Sequence, residues 1–278
     1  MFKSHVHPWL LACALAAACA TTSSKRDLER GERYYQLGVD YFRKGMQAPA
    51  LEETLKAIEA DPENAEAHNL LGLIFLKQAA DELRLLEVEQ CMDGQSAREQ
   101  RAAADDKMRK ARAEFELAVR YRERFSEALN SLAVVALHFK DYNEAIRYGK
   151  EALGNILYRQ PYVAHGNVGW AYYQKGDLVH AAKELREAVF HEQEFCVGHF
   201  RLAQVYYDQK EIDGALEHLQ KVMADLRCPI QEAYHLAGTS YALQRRSDDA
   251  RQALRKCVTL APKSCRARMC ERDEKLLN

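Results

Sequence analysis

Two short patterns in the chain hold residue types that metal or acid–base chemistry uses. His191-Glu192 has the opening of a zinc-protease helix, where two histidines one turn apart hold the metal and the glutamate works on its water; the second histidine would stand at position 195, which is Phe195. Asp105-Asp106 and Asp248-Asp249 are paired carboxylates, but they fall on stretches that read as exposed turns or polar helix faces, where solvated charge is the expected role. Gly166-Asn167-Val168-Gly169 sits in a helical stretch in which Gly169 has a packing role, and no phosphate-cradling or nucleophile-elbow motif accompanies it. The sequence therefore predicts no catalytic constellation, no metal site and no cofactor. Its remaining reactive side chains are 8 cysteines.

The first cysteines belong to the N-terminus. Lys3 supplies a positive start, Trp9 to Ala18 an apolar run, and Ala16, Ala17 and Ala18 lead up to Cys19, the pattern of a signal peptide over residues 1–18. A helix of that run would be about 15 Å long, whereas a membrane span needs roughly 20 apolar residues. The ending resembles the lipobox of bacterial lipoproteins, in which the cysteine takes a diacylglyceryl group and becomes the mature first residue. Ala16 stands where that pattern prefers Leu. Cys19 is accordingly the expected lipidation site, with residues 19–30 as the linker behind it, and Ala20 in place of Asp implies sorting to the outer membrane. Cys13 leaves with the signal, so Cys91, Cys196, Cys228, Cys257, Cys265 and Cys270 remain in a compartment that permits disulfides. Cys228, Cys257, Cys265 and Cys270 are the expected disulfide formers: Cys228 and Cys265 lie one repeat apart in loops, and Cys257 and Cys270 meet if the last helix folds back. The spacing does not settle the pairing.

The 278 residues carry 40 Lys+Arg against 41 Asp+Glu, a balance that argues against a generic nucleic-acid binder, which needs a basic excess. With 13 Gly and 6 Pro, the chain reads as mostly helical and ordered. Its organising signal is a repeat of 34 residues. Tyr34, Leu37, Gly38, Tyr41, Ala50, Ala57 and Pro62 match the tetratricopeptide pattern, in which small residues at the eighth, twentieth and twenty-seventh positions let two antiparallel helices approach closely. The frame recurs through Leu71 and Gly72, Leu132 and Ala133, Val168 and Gly169, Leu202 and Ala203, and Ala237 and Gly238. It predicts an all-α superhelical solenoid of six helix-turn-helix repeats over 31–264, at 31–64, 65–125, 126–161, 162–195, 196–230 and 231–264, with a C-terminal capping helix at 265–278. Pro62, Pro161, Pro229 and Pro262 fall at repeat ends, where a helix interior is not broken.

The second repeat is about 27 residues longer than the period of the others. Leu76, Ala79, Leu83 and Leu86 on one side and Ala97, Ala104, Met108, Ala111 and Phe115 on the other run close to heptad spacing, which predicts an extended helical hairpin turning at Gly94. Each arm would project about 20 Å beyond the solenoid, with Leu85 and Val88 turned away from the seam.

In such a stack the first helix of each pair lines the concave groove. The lining positions are Tyr35, Val39 and Phe42; Asn69, Leu73 and Leu76; Asn130, Val134 and Leu137; Trp170 and Tyr173; and Phe200, Gln204 and Tyr207. This is an apolar and aromatic surface, without the basic residues of a carboxylate clamp, and it suits an apolar strand or amphipathic helix docked by aromatic anchors. A smaller feature is the run of basic residues from Arg245 to Arg268, which is expected to be a solvated face.

Tyr35-Gln36-Leu37-Gly38 with Tyr41 and Gly45, followed by Leu157-Tyr158 and Pro161 before Asn167-Val168-Gly169, resembles the PilF/PilW family of type IV pilus biogenesis lipoproteins, or pilotins, and most of all its myxobacterial Tgl branch. The long second-repeat hairpin departs from that family's compact pattern. The resemblance implies an outer-membrane lipoprotein facing the periplasm, anchored by its N-terminal acyl chains, that binds the subunits of the type IV pilus secretin and promotes their assembly, with no nucleic acid among its partners. A scaffold for another envelope machine, in outer-membrane protein assembly or peptidoglycan synthesis, is the other reading of the same fold.

Overall fold

The computed structural model describes residues 24–86, 91 and 94–277, and these residues form helices only. The signal segment 1–18, Cys19 and Val88 lie outside the described residues. Six helical pairs follow one another: α1 (Lys25–Arg43) with α2 (Gln47–Ala60), α3 (Ala65–Arg84) with α4 (Gly94–Tyr121), α5 (Ser126–His138) with α6 (Tyr142–Leu153), α7 (Pro161–Gln174) with α8 (Leu178–His191), α9 (Cys196–Asp208) with α10 (Ile212–Ala224), and α11 (Gln231–Leu243) with α12 (Ser247–Leu260). A last helix, α13 (Cys265–Lys275), covers the open end. Among the described residues, no helix is long and apolar enough to cross a membrane.

One steric rule repeats through the stack. The eighth residue of a repeat faces the twenty-fourth, across the two helices of the pair. A Cβ on Gly38 would stand 2.8 Å from Thr54 Oγ1, on Gly72 2.5 Å from the Phe115 ring, on Gly169 2.7 Å from Leu185 Cγ, and on Gly238 2.6 Å from Leu254 Cγ. Real carbons do not approach so closely, so these glycines set the helix spacing and the large partner fills it. In the third and fifth repeats Ala133 and Ala203 hold the same place, fully buried.

The turn inside each pair is equally regular. In the five compact repeats the fifteenth residue takes the left-handed conformation: Gly45 (φ 74°), Lys140 (φ 62°), Gly176 (φ 82°), Lys210 (φ 68°) and Arg245 (φ 59°). The next amide then reaches back five residues, with Met46 N–H donating to Tyr41 O at 2.9 Å, Asp141 to Ala136 at 2.8 Å, Asp177 to Tyr172 at 3.0 Å, Glu211 to Tyr206 at 2.8 Å and Arg246 to Tyr241 at 3.0 Å. This is the Schellman closure, which satisfies the last carbonyls of the first helix. At the other end of the pairs, side chains cap selected helix starts, with Ser24 accepting from Asp27 N, Asn64 from Ala67 N and Ser264 from Ala267 N; in the fourth repeat's turn itself Asp177 accepts from His180 N.

The second pair departs from this pattern. α3 and α4 contain 20 and 28 residues, and Ala79, Leu86, Ala97, Ala104, Met108, Ala111 and Phe115 are buried along their seam, with Leu76 and Leu83 packed beside it. Gly94 opens α4, with φ 78°. One expectation needs correction: the hairpin is not a free arm, because Cys91 is bonded to Cys265 at the start of α13. The other pairs are Cys196–Cys228 and Cys257–Cys270. Cys228 therefore takes Cys196, 32 residues back in the same repeat, and Cys265 takes Cys91, 174 residues back, rather than each other.

Histidines recur at one place between the helices of a pair. His68 Nδ1 meets Glu114 at 2.7 Å and His165 Nδ1 meets Glu184 at 2.8 Å, but in the fifth repeat His199 Nδ1 meets His218 Nδ1 at 2.8 Å. One ring must accept from the other, and His199 Nε2–H already donates to Gln193 O at 2.9 Å. Burial, the largest influence on both, lowers His199 and takes His218 down to about 4, with Lys221 adding to the effect. His68 goes the other way: burial opposes its charge, but the Glu114 bond and the Pro62 carbonyl outweigh it and raise the group.

Two outcomes are expected. Lys210→Gly, which relieves a side chain in the left-handed region, should raise the unfolding free energy by about 0.5–1 kcal/mol, and Gly176→Ala should lower it by about 1 kcal/mol, both read from urea midpoints. The His199–His218 pair stays neutral when folded while the unfolded chain takes up protons below the ordinary histidine value near 6.5. Its contribution to stability is therefore complete above pH 6.5 and is lost as pH falls towards 4, opposite in sign to that of His68. The urea midpoint of His218→Gln should decline less steeply than the wild type between pH 7 and 4.5.

Candidate partner-binding groove

Extensive packing links each helix only to its next or next-but-one neighbour in the chain. The next-but-one contacts all join first helices: α1 with α3, α3 with α5, α5 with α7, α7 with α9, α9 with α11, and α11 with α13. Successive second helices are not packed in this way, so they splay apart and the row of first helices forms the inner, concave side. The fourteen residues expected on that side sit on α1, α3, α5, α7 and α9, and each is half-buried, in contact with the fold on one side and open on the other.

They do not all do the same work. Tyr35, Val39 and Phe42 lean on Ala50, Leu70 and Ile74; Leu73 and Leu76 lean on the cluster around Phe115; Leu137 packs with Ala136, Ala145 and Ala171; and Phe200 joins the cluster of α9, α10 and α11. These side chains join adjacent repeats as well as lining the groove. Tyr173 leans likewise on Ala181, Leu185 and Leu202, and the middle of the row adds an aromatic and polar pairing to this packing. Trp170 stacks on Tyr173 with ring centroids 4.8 Å apart, and Tyr173 donates its hydroxyl to Asp208 Oδ2 at 2.7 Å. Burial, aided by that bond to a carboxylate, raises the Tyr173 hydroxyl well above its ordinary value, so it remains a donor.

Sequence reasoning missed the polar element beneath these rings. Arg201 of α9 donates to Gly166 O at 3.0 Å and to Asn167 Oδ1 at 3.2 Å, and Asn167 Nδ2 donates to Asn130 Oδ1 at 3.0 Å. The guanidinium also stands 5.3 Å from the Trp170 ring centre. Burial lowers Arg201 to about 10, which still leaves it charged at neutral pH. A chain of polar contacts thus crosses α9, α7 and α5 under an aromatic surface. Its signal in the sequence was one position away, since Asn167 and Arg201 each occupy the sixth place of their repeats. Two groove residues, Asn69 and Gln204, each keep a buried side-chain oxygen without a hydrogen-bond partner.

The other candidate chemistries are occupied elsewhere. Asp105 bonds His138 Nε2 at 2.6 Å and Asp106 pairs with Lys110; Asp248 and Asp249 pair with Arg251 and Arg246. Within the basic run, Arg255 pairs with Glu274 and Arg266 donates to His235. Cys196, Asp225 and Cys228 lie within metal-ligand distance of one another, but the two sulfurs are spent on their mutual bond. Leu85, at the base of the hairpin tip, is exposed.

The sequence matches the tetratricopeptide repeat-like domain over residues 143–270 and a tetratricopeptide repeat family over 100–161. No curated protein matches it. Among solved structures, PilF of Pseudomonas aeruginosa is similar, with a TM-score of 0.69 at 19% identity, covering 90% of this chain and 100% of that one. PilW, described as a widely conserved type IV pilus biogenesis factor, is also similar, with a TM-score of 0.68 at 16% identity over 86% of this chain and 97% of its own. At such identities these likenesses show the shared fold.

Removing the central amide of the polar chain leaves Arg201 and Asn130 each short of a partner. Asn167→Ala should lower the unfolding free energy by about 1–3 kcal/mol, and Gln204→Leu, which removes an unpaired acceptor, should not lower it; denaturant midpoints decide both.

Proposed function

The chain is an all-α tetratricopeptide-repeat solenoid, a scaffold for binding proteins, and we propose that it serves type IV pilus biogenesis as a lipid-anchored pilotin. In this reading Cys19 is acylated, the protein faces the periplasm from the outer membrane, and the groove takes up an apolar segment of the pilus secretin. The observation that carries the reading is the central groove itself: the half-buried Trp170–Tyr173 stack with Arg201 beneath it. The near full-length overlap with PilF and PilW supports it.

The mechanism follows from the geometry. A secretin subunit bound for the membrane exposes apolar strand surface before its neighbours are in place, and such surface aggregates when left in water. Aromatic and aliphatic side chains of the groove can cover the apolar side chains of one strand face. Holding the subunit at the membrane by the acyl chains raises its effective concentration there and favours ordered assembly over aggregation. The groove needs no bond-making chemistry for this. It needs rigid aromatic anchors and reversible binding.

Deleting the gene in its host should remove heat-resistant secretin multimers from membrane fractions while monomer remains. Wild type should restore them, and Cys19→Ala should not. Trp170→Asp and Tyr173→Asp should reduce binding of the purified secretin subunit by about tenfold or more each, as loss of a central aromatic anchor does, with helical content unchanged. Normal multimers in the deletion strain would overturn the proposal.

A further inference from the structure

The three disulfides differ in what they join. Cys257–Cys270 ties α12 to α13, which already pack together, and both sulfurs are fully buried. Cys196–Cys228 ties the start of α9 to the loop after α10, again neighbours, and Cys228 is buried. Cys91–Cys265 joins residues 174 apart, between the tip of the second-repeat hairpin and the first residue of the cap. Four helical pairs stand between those two points, and no extensive packing connects them directly. Cys265 is exposed and Cys91 is half-buried.

We propose that the Cys91–Cys265 bond is a thiol-labile clasp that sets the curvature of the solenoid and so regulates the affinity of the groove for its partner segment; the second half rests on the pilotin reading above. In a stack of repeats that touch only near neighbours, the relative position of the two ends is the sum of several small rotations, and the slack of each interface accumulates. The bond closes residues 91 to 265 into a covalent ring and removes that accumulated slack. Asn130, Val134, Leu137, Trp170, Tyr173, Phe200, Gln204 and Tyr207 all belong to the ring. Clasped, the groove holds one width and binds as a pre-organised surface; unclasped, the partner must fix the curvature as it binds.

The chemistry of opening is thiol–disulfide exchange with a protein dithiol. Its thiolate attacks Sγ of Cys91, the S–S bond breaks, and the electron pair leaves on Cys265 as a thiolate. The second thiol of the dithiol then attacks the mixed disulfide and releases Cys91. The clasp gains two electrons, the two thiol protons end on the two cysteines, and the dithiol becomes a disulfide. Cys265 is the better leaving side. It is the first residue of α13, at the positive end of that helix, with Lys263, Arg266 and Arg268 close by in sequence. The sealed Cys257–Cys270 bond offers a reductant no such entry.

Of the two tryptophans, Trp9 falls in the expected signal segment and is absent from the processed lipoprotein, so Trp170 there reports on the groove alone. Graded reduction, followed by alkylation and mass mapping, should label Cys91 and Cys265 at reductant concentrations about tenfold below those that label Cys257 and Cys270. Acrylamide quenching of Trp170 should rise about twofold when the clasp opens, by reduction or in the Cys91→Ser/Cys265→Ser variant, and the purified secretin subunit should leave the open form about tenfold faster. Circular dichroism of the mildly reduced wild type guards against misfolding of the double variant. A different pairing of Cys91 and Cys265 in the oxidised protein, or simultaneous reduction of all bonds, would overturn the clasp. So would equal quenching and equal secretin dissociation in the two forms. Quenching that changes while neither form binds the subunit keeps the clasp and overturns the pilotin reading instead.

Discussion

Everything else in this molecule depends on the close approach of two helices at the eighth position of each repeat. Gly38, Gly72, Gly169 and Gly238 stand where any Cβ would overlap Thr54, Phe115, Leu185 or Leu254. That contact fixes the distance between the helices of a pair. The left-handed turn residue, with its five-residue backward hydrogen bond, fixes their angle. Once both are set, each pair presents the same two faces, and stacking follows because no pair can bury its apolar face alone.

Curvature follows from which helices pack across repeats. The inner helices touch from repeat to repeat while the outer helices splay, so the inner row becomes a groove whose lining is half in the core and half in solvent. This dual role explains why so many of its residues are large and apolar. Tyr35, Val39, Phe42, Leu73 and Phe200 hold neighbouring repeats together with one side of the side chain. Trp170 and Tyr173 are held by each other, by Arg201 and by Asp208, with Tyr173 also packed on the core of α8 and α9, and only their remaining surface is open to a partner. A binding surface built on rigid rings loses little conformational freedom on binding.

The second repeat shows what happens when the period is broken without breaking the packing rule. Its helices keep the Gly72–Phe115 contact and the His68–Glu114 pair, then run on as a seam of buried alanines. The extension carries a cysteine out to the far end of the stack, so a local insertion produces a long-range covalent link. A repeat protein is otherwise open along its length; this one is closed by a bond between its hairpin and its cap.

What the sequence by itself determined is the part that the repeat writes locally: the helix pairs, their turns, the all-α class and the seam from Leu76 to Phe115. Each rests on contacts between residues less than one period apart, or on a spacing that recurs, and such contacts leave a periodic trace. Tertiary structure alone decided the partners of Cys91, Cys196, Cys228 and Cys265, the His199–His218 contact where other repeats use glutamate, and the polar chain from Arg201 through Asn167 to Asn130. The Cys91–Cys265 pairing depends on the accumulated rotation of several interfaces, and the polar chain on where side chains of three repeats come to rest; neither is a property of any single repeat. Cys196–Cys228 and His199–His218 lie within one repeat, but at positions where that repeat departs from the others, so the period does not encode them either.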